Sequence, residues 1–136
     1  MNKSIIAIAV ASLFSAAALA GAPAPKVKAP KKTPALVAKG QAVFKANCVP
    51  CHGETGDGNG PAAAALNPKP RNLKTEAFKQ GDKPEQVFET VTKGIQGTTM
   101  APWGHLPEED RWGAVYVVLE LHKGAPKSKP APAKKK

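Results

Sequence analysis

Cys48-Val49-Pro50-Cys51-His52 decides the reading of this chain. C-x-x-C-H is the pattern of covalent haem attachment, and here it takes the only two cysteines in 136 residues. Each thiol would add across a haem vinyl group to form a thioether, and the histidine after the second cysteine is then held beneath the iron as an axial ligand. Met100 is the candidate for the second axial position. The other methionine is the initiator, and Met100 lies in Gly97-Thr98-Thr99-Met100-Ala101-Pro102-Trp103, a turn-rich stretch between two helical patterns. A loop there can swing a sulfur over the far haem face. The alternative for Met100 is a place in the core, because methionine fills irregular gaps. A thioether facing an imidazole favours reduced iron and raises the potential. Such a pair leaves no axial position for a substrate.

The helical patterns flank this loop and the motif. Leu36, Gly40, Val43 and Phe44 recur at near-helical spacing, which predicts a helix over 35–47 ending in the motif. Gly40 costs about 1 kcal/mol relative to alanine inside a helix, so a close crossing is expected there. The partner is a helix over 108–121, where Trp112, Val115, Tyr116 and Leu119 fall at i, i+3, i+4 and i+7 behind Pro107 and the acidic Glu108-Glu109-Asp110. A third helix is expected over 83–93, capped by Asp82 with Glu85, striped by Val87, Phe88 and Val91 and closed by Gly94. Residues 75–79 can add a short helical turn. No alternating run calls for a sheet, so the fold class is all-α.

With these elements in order, residues 34–122 resemble the class I c-type cytochromes, small monohaem electron carriers whose N- and C-terminal helices cross over the haem. The resemblance rests on Cys48 to His52 with Met100. It extends to Gly53-Glu54-Thr55-Gly56-Asp57-Gly58-Asn59-Gly60-Pro61, which is similar to the glycine-rich run of bacterial members, and to Pro68-Lys69-Pro70-Arg71-Asn72-Leu73. It implies one haem c, bound through Cys48 and Cys51 and ligated by His52 and Met100. Relatives often carry proline directly after the ligand methionine; here Ala101 intervenes. The resemblance also implies that the Pro61 carbonyl accepts the second N–H of the His52 ring, which would orient it and raise its basicity; Pro61 can equally be the end of a turn. Arg71, in a proline-stiffened loop, is the candidate partner of a haem propionate, since guanidinium binds carboxylate through two parallel hydrogen bonds. An ordinary exposed arginine is the alternative. Asn72 and Trp103 offer further donors near the pocket, and Trp103 can also pack on the haem edge. His105 is a rival axial ligand, and His122 is expected to meet the C-terminal dipole of the last helix.

Charge is unevenly spread. The chain has 20 Lys/Arg against 10 Asp/Glu, a formal charge of +10, yet residues 33–122 are close to neutral and the excess lies in the ends. Residues 1–20 read as a signal peptide, with Lys3, an apolar run over 5–19 and Ala18-Leu19-Ala20 as cleavage site. Cleavage after Ala20 and a periplasmic location are expected, as the resemblance implies. Residues 21–33 and 123–136 are Ala/Pro/Lys-rich and are expected to be disordered, because such composition buries too little apolar surface to offset chain entropy. They can attract an acidic redox partner, an anionic membrane or a cell-wall polymer, or serve only as solubilising sequence. Nucleic acid does not fit tails without interleaved aromatics. The domain between holds few large side chains and many Gly and Pro, so a macrocycle is expected to complete its core, and the chain without it to be unfolded or molten.

These readings lead to a periplasmic, monomeric one-electron carrier that cycles Fe(III)/Fe(II) between a protein donor and an oxidase or reductase, and is not an enzyme. Two rivals keep the haem: a sensor or enzyme with a labile sixth ligand, and an electron-transfer subunit of a larger complex. A third makes Cys48 and Cys51 a redox dithiol or half a zinc site. The surroundings of the pair lack the βαβ pattern or the further ligands that either chemistry needs.

Overall fold

A computed structural model describes residues 27–127. The expected signal peptide lies outside the described residues, as do 21–26 and 128–136 of the two basic ends. Among the described residues four α-helices occur in the order α1 (Pro34–Asn47), α2 (Val49–His52), α3 (Pro84–Lys93) and α4 (Glu108–Leu121), with 3-10 turns at Ala63–Ala65 and His122–Gly124. Among the described residues there is no strand, and no helix is long and apolar enough to cross a membrane.

α1 starts where Thr33, in extended conformation, accepts the Leu36 N–H at 3.2 Å, with Pro34 fitting the first turn. It buries Leu36, Gly40 and Phe44 against α4. The expected close crossing is present, and its second half is Gly113: a β-carbon at Gly40 would fall on the Gly113 carbonyl group, and one at Gly113 would lie 2.7 Å from the Leu36 oxygen. α4 buries every residue from Trp112 to Val118, a wider surface than one stripe, because α1, α3, the N-terminal segment and the central cavity all lean on it. Its first turn holds Glu108, Glu109 and Asp110, favourable at the positive end of the helix dipole. α3 packs Phe88 flat on Trp112, ring centroids 4.1 Å apart.

Three expectations change. The cap of α3 lies one residue on from Asp82 and Glu85: Lys83 is the N-cap and donates its N–H to Gln86 Oε1 at 3.1 Å. Residues 75–79 form no helix; Asn72 Oδ1 accepts the N–H groups of Lys74 and Thr75 at 2.9 and 3.2 Å, which closes a turn in place of a helical start. Residues 27–33, assigned to a disordered arm, are fastened to the helices. Ala29 packs on the core and donates its N–H to Glu85 at 3.3 Å, the Tyr116 hydroxyl donates to the Pro30 carbonyl, and Lys32 pairs with Glu120. This segment builds no core of its own, but its Ala29 N–H finds a partner on α3 and its Pro30 carbonyl and Lys32 find partners on α4, and Pro30 lowers the entropy lost on ordering.

Candidate functional site

α2 is a single helical turn that continues α1 with almost no break: Cys48 N–H donates to Phe44 O at 2.8 Å, and His52 N–H to Cys48 O at 2.8 Å. Positions 48, 51 and 52 stand in i, i+3, i+4 relation, so both thiols and the imidazole share one face. Gly53 ends the turn at φ +76°. The glycine-rich run then folds back on the outside of this turn, Gly58 N–H to His52 O at 2.8 Å, Gly60 N–H to Cys51 O at 3.1 Å and Ala62 N–H to Pro50 O at 2.9 Å. Gly60 is required there, since a β-carbon would collide with the carbonyls of Val49 and Pro50. The motif is thus buttressed from behind while its face looks into a cavity of about 450 Å³.

That cavity brings together Cys48, Cys51, His52, Arg71, Met100 and Trp103. Val43 and Phe44 of α1, Val87 and Val91 of α3, and Ala114 and Val118 of α4 give it apolar walls. A flat, largely apolar group with a metal at its centre fits such a space: two thiols from one turn could fasten it, while an imidazole and a thioether from separate elements could ligate it. Among the described residues no cluster of three or more His, Cys, Asp or Glu is placed to hold a metal ion by itself.

The donor state of each group follows from its surroundings. Burial, with a smaller push from Cys51, raises the Cys48 thiol to about 11, so the free chain presents a neutral thiol. Burial is also the main influence lowering the His52 pKa, with the Arg71 charge acting the same way and a hydrogen bond to the Arg71 backbone opposing. His52 Nδ1 lies 3.1 Å from the Arg71 carbonyl oxygen. A carbonyl only accepts, so this bond selects the tautomer with its proton on Nδ1 and leaves the Nε2 lone pair for a metal.

The partner of His52 is therefore Arg71 O and not Pro61 O. The glycine run pins 58–62 behind α2, leaving Pro61 exposed and off the cavity wall, whereas residues 70 and 71 pass over Gly58, where a β-carbon would meet the Pro70 oxygen at 2.6 Å. The Arg71 side chain lines the cavity and is steadied by Nη1 donating to Ala77 O at 2.7 Å and to Glu76 Oε2 at 3.3 Å. Asn72 does not line the cavity; its oxygen is engaged in the turn described above. Trp103 does line it, on a backbone fixed by its N–H to Val91 O at 3.0 Å.

Met100 sits half-buried at the cavity in the loop between α3 and α4. Its N–H donates to Thr98 Oγ1 at 3.1 Å and its carbonyl accepts from Ile95 N–H at 3.1 Å. Gly94, at φ +66°, lets this carbonyl approach where a side chain would block it. His105 is exposed, beside the Trp103 ring at 5.6 Å, and outside the cavity lining, so the bis-histidine alternative has no support in the geometry. His122 is buried, stacks on Phe78 at 3.8 Å and has Nδ1 2.9 Å from Leu73 O. It ties the end of α4 to the loop that carries Arg71, a role beyond the expected dipole contact. Nothing in the spacing of His122 announced this bond, since its partner is 49 residues away.

Comparison with known proteins agrees with this architecture. Residues 35–116, more than half of the chain and including both the C-x-x-C-H turn and Met100, match the family described as cytochrome c oxidase, cbb3-type, subunit III. A cbb3-type cytochrome c oxidase subunit FixP of Sinorhizobium medicae is 32% identical over 92 residues, which cover 60% of this chain and 29% of that protein. FixP of Azorhizobium caulinodans is 37% identical over 76 residues, 56% of this chain and 23% of that one. The chain thus spans less than a third of the length of these relatives. Among solved structures, a chain of a Kuenenia stuttgartiensis reducing HAO-like protein complex is similar with a TM-score of 0.57 and 30% identity, over 80% of this chain and 51% of the other. An all-helical fold wrapped on a C-x-x-C-H turn and a methionine loop, matched over most of its described length, makes this chain a c-type cytochrome of the cbb3 oxidase subunit III family.

Proposed function

We propose that the chain is the electron-transfer cytochrome c domain of a larger redox assembly of the cbb3 oxidase kind, working outside the cytoplasm. This displaces the freely diffusing carrier as the primary reading, because the curated relatives are oxidase subunits by name. The observation that carries the proposal is the single cavity on which Cys48, Cys51, His52 and Met100 converge. One haem c held there would supply the Fe(III)/Fe(II) couple. Cys48 and Cys51 would fasten it, each S–H adding across a vinyl double bond with no atom lost. His52, oriented through Arg71 O, would present Nε2 as one ligand to the iron and Met100 its sulfur as another. Arg71 would hold a propionate, and the apolar walls from α1, α3 and α4 would keep water away so that little rearranges on electron transfer. The domain itself would make no bond in its partners' substrates.

Two measurements test this. Intact mass of the denatured protein should show one haem retained per chain, and none retained when Cys48 and Cys51 are both replaced by alanine. A tagged full chain recovered from its native host should arrive in a detergent-solubilised complex that oxidises an artificial electron donor with oxygen. Recovery wholly as a soluble monomeric haem protein would return the diffusing-carrier reading.

A further inference from the structure

We infer that Arg111 is a positioning residue for the methionine ligand, a clasp that holds the Met100 loop closed over the cavity. The inference rests on the reading of Met100 as an axial ligand. The loop leaves α3 at Gly94 and returns to α4 at Pro107; its own backbone bonds form one small turn around Ile95, Thr98 and Met100 and another from Leu106 N–H to Trp103 O, and Trp103 N–H ties it to Val91 O of α3. Arg111, in the first turn of α4, reaches across both ends of it. Nε donates to Leu106 O at 3.1 Å, on the returning limb, and Nη1 donates to Thr92 Oγ1 at 2.6 Å, at the end of α3 where the loop departs. The guanidinium carbon lies 4.7 Å from the centroid of the Phe88 ring, and the same side chain lines the cavity. One rigid, planar group therefore spans the two loop ends, alongside the Trp103 N–H bond to Val91 O.

The chemistry asks for such a clasp. A thioether is a neutral donor with no charge to hold it on iron, so the residence of Met100 depends on the free energy of moving its loop. Bonds from a charged guanidinium are stronger than neutral ones. Lysine could supply the charge and the contact with Phe88, but not two donors at a fixed angle. None of these bonds belongs to the α1–α4 crossing, so weakening them should open the loop without unfolding the domain.

Cyanide binding to the ferric holoprotein reads this opening, because the ligand enters only when Met100 is off the iron. Arg111→Gln should bind cyanide about tenfold faster or more, the size expected for lost hydrogen bonds from a charged donor. Arg111→Lys should fall between it and the parent, and Thr92→Val, which removes one bond without changing shape, should show a smaller rise. Thr92→Val carries the test if Arg111→Gln fails to accumulate. Unchanged cyanide rates in these variants would overturn the inference, as would a rise no larger than the shift in global unfolding measured by denaturant. A parent protein that lacks methionine–iron absorption and binds cyanide at once would instead refute the ligand reading beneath it, a distinct result.

Discussion

At the scale of single residues, the small side chains constrain this fold as firmly as the chemical ones. Gly40 and Gly113 let α1 and α4 cross with backbone against backbone. Gly40→Ala should destabilise the holoprotein by about 3 kcal/mol, at the upper end for inserting a methyl group into a packed contact, seen as a lower denaturant midpoint with an unchanged haem spectrum. Gly40 was legible because a glycine inside an amphipathic pattern needs a reason. Gly113 carried the same signal beside Trp112 and was masked by the stronger apolar stripe around it. Cys48, Cys51, His52 and Met100 were legible as a site because each is chemically distinctive and rare in this chain, and all four meet one cavity. Arg71 shows the limit of such reading: its side chain drew attention for its charge, while its carbonyl, which any residue could supply, is what engages His52. A backbone oxygen leaves no mark in a sequence.

Among the elements, the three longer helices follow from periodicity and lie within a residue or two of their expected bounds. What periodicity misses is segments held by others. Residues 27–33 have the composition of a solvated tail, yet Tyr116, Glu120 and Glu85 fasten them across α3 and α4. Tyr116→Phe removes the hydroxyl that bonds Pro30 O and should cost about 1 kcal/mol; Thr33→Ala removes the cap of α1 at a similar cost. Both are read from thermal unfolding of the holoprotein. If the segment were a free arm, Tyr116→Phe would leave the unfolding temperature unchanged while Thr33→Ala still lowered it. The loop over 71–78 was misjudged for a related reason. Asn72 was weighed as a donor to the pocket, but its oxygen serves the Lys74 and Thr75 N–H groups, a local bond that asparagine makes readily in turns.

For the whole molecule, the charged groups set the pH range of stability. Asp57 is held below the usual carboxylate range mainly by the Asn59 N–H, and Glu120 mainly by its bond from Lys32. A carboxylate whose folded pKa is depressed adds stability that is complete above its unfolded value, about 4, and is lost as pH falls through the folded value. Lys39 is raised above 10.5, mainly by Glu109, so its contribution is present below pH 10.5 and is lost as pH rises through the raised value. The holoprotein should therefore be most stable between these limits, and Asp57→Asn should flatten the acid limb of a denaturant-midpoint profile against pH; an acid limb as steep as the parent's would count against that assignment. Near-neutrality of the domain was readable from composition. The proposed larger assembly stood in the sequence only as an alternative, because surface residues that meet a partner have no obligatory period or spacing.

The claim on which the rest depends is that His52 and Met100 hold one haem iron between them. Its direct test is the visible spectrum of the oxidised, periplasmically produced protein, read for the weak far-red band that iron bonded to methionine sulfur gives. The account predicts that band in the parent, its loss in Met100→Ala and its persistence in His105→Ala. A haem-containing parent without the band, or a band that survives Met100→Ala, would contradict it.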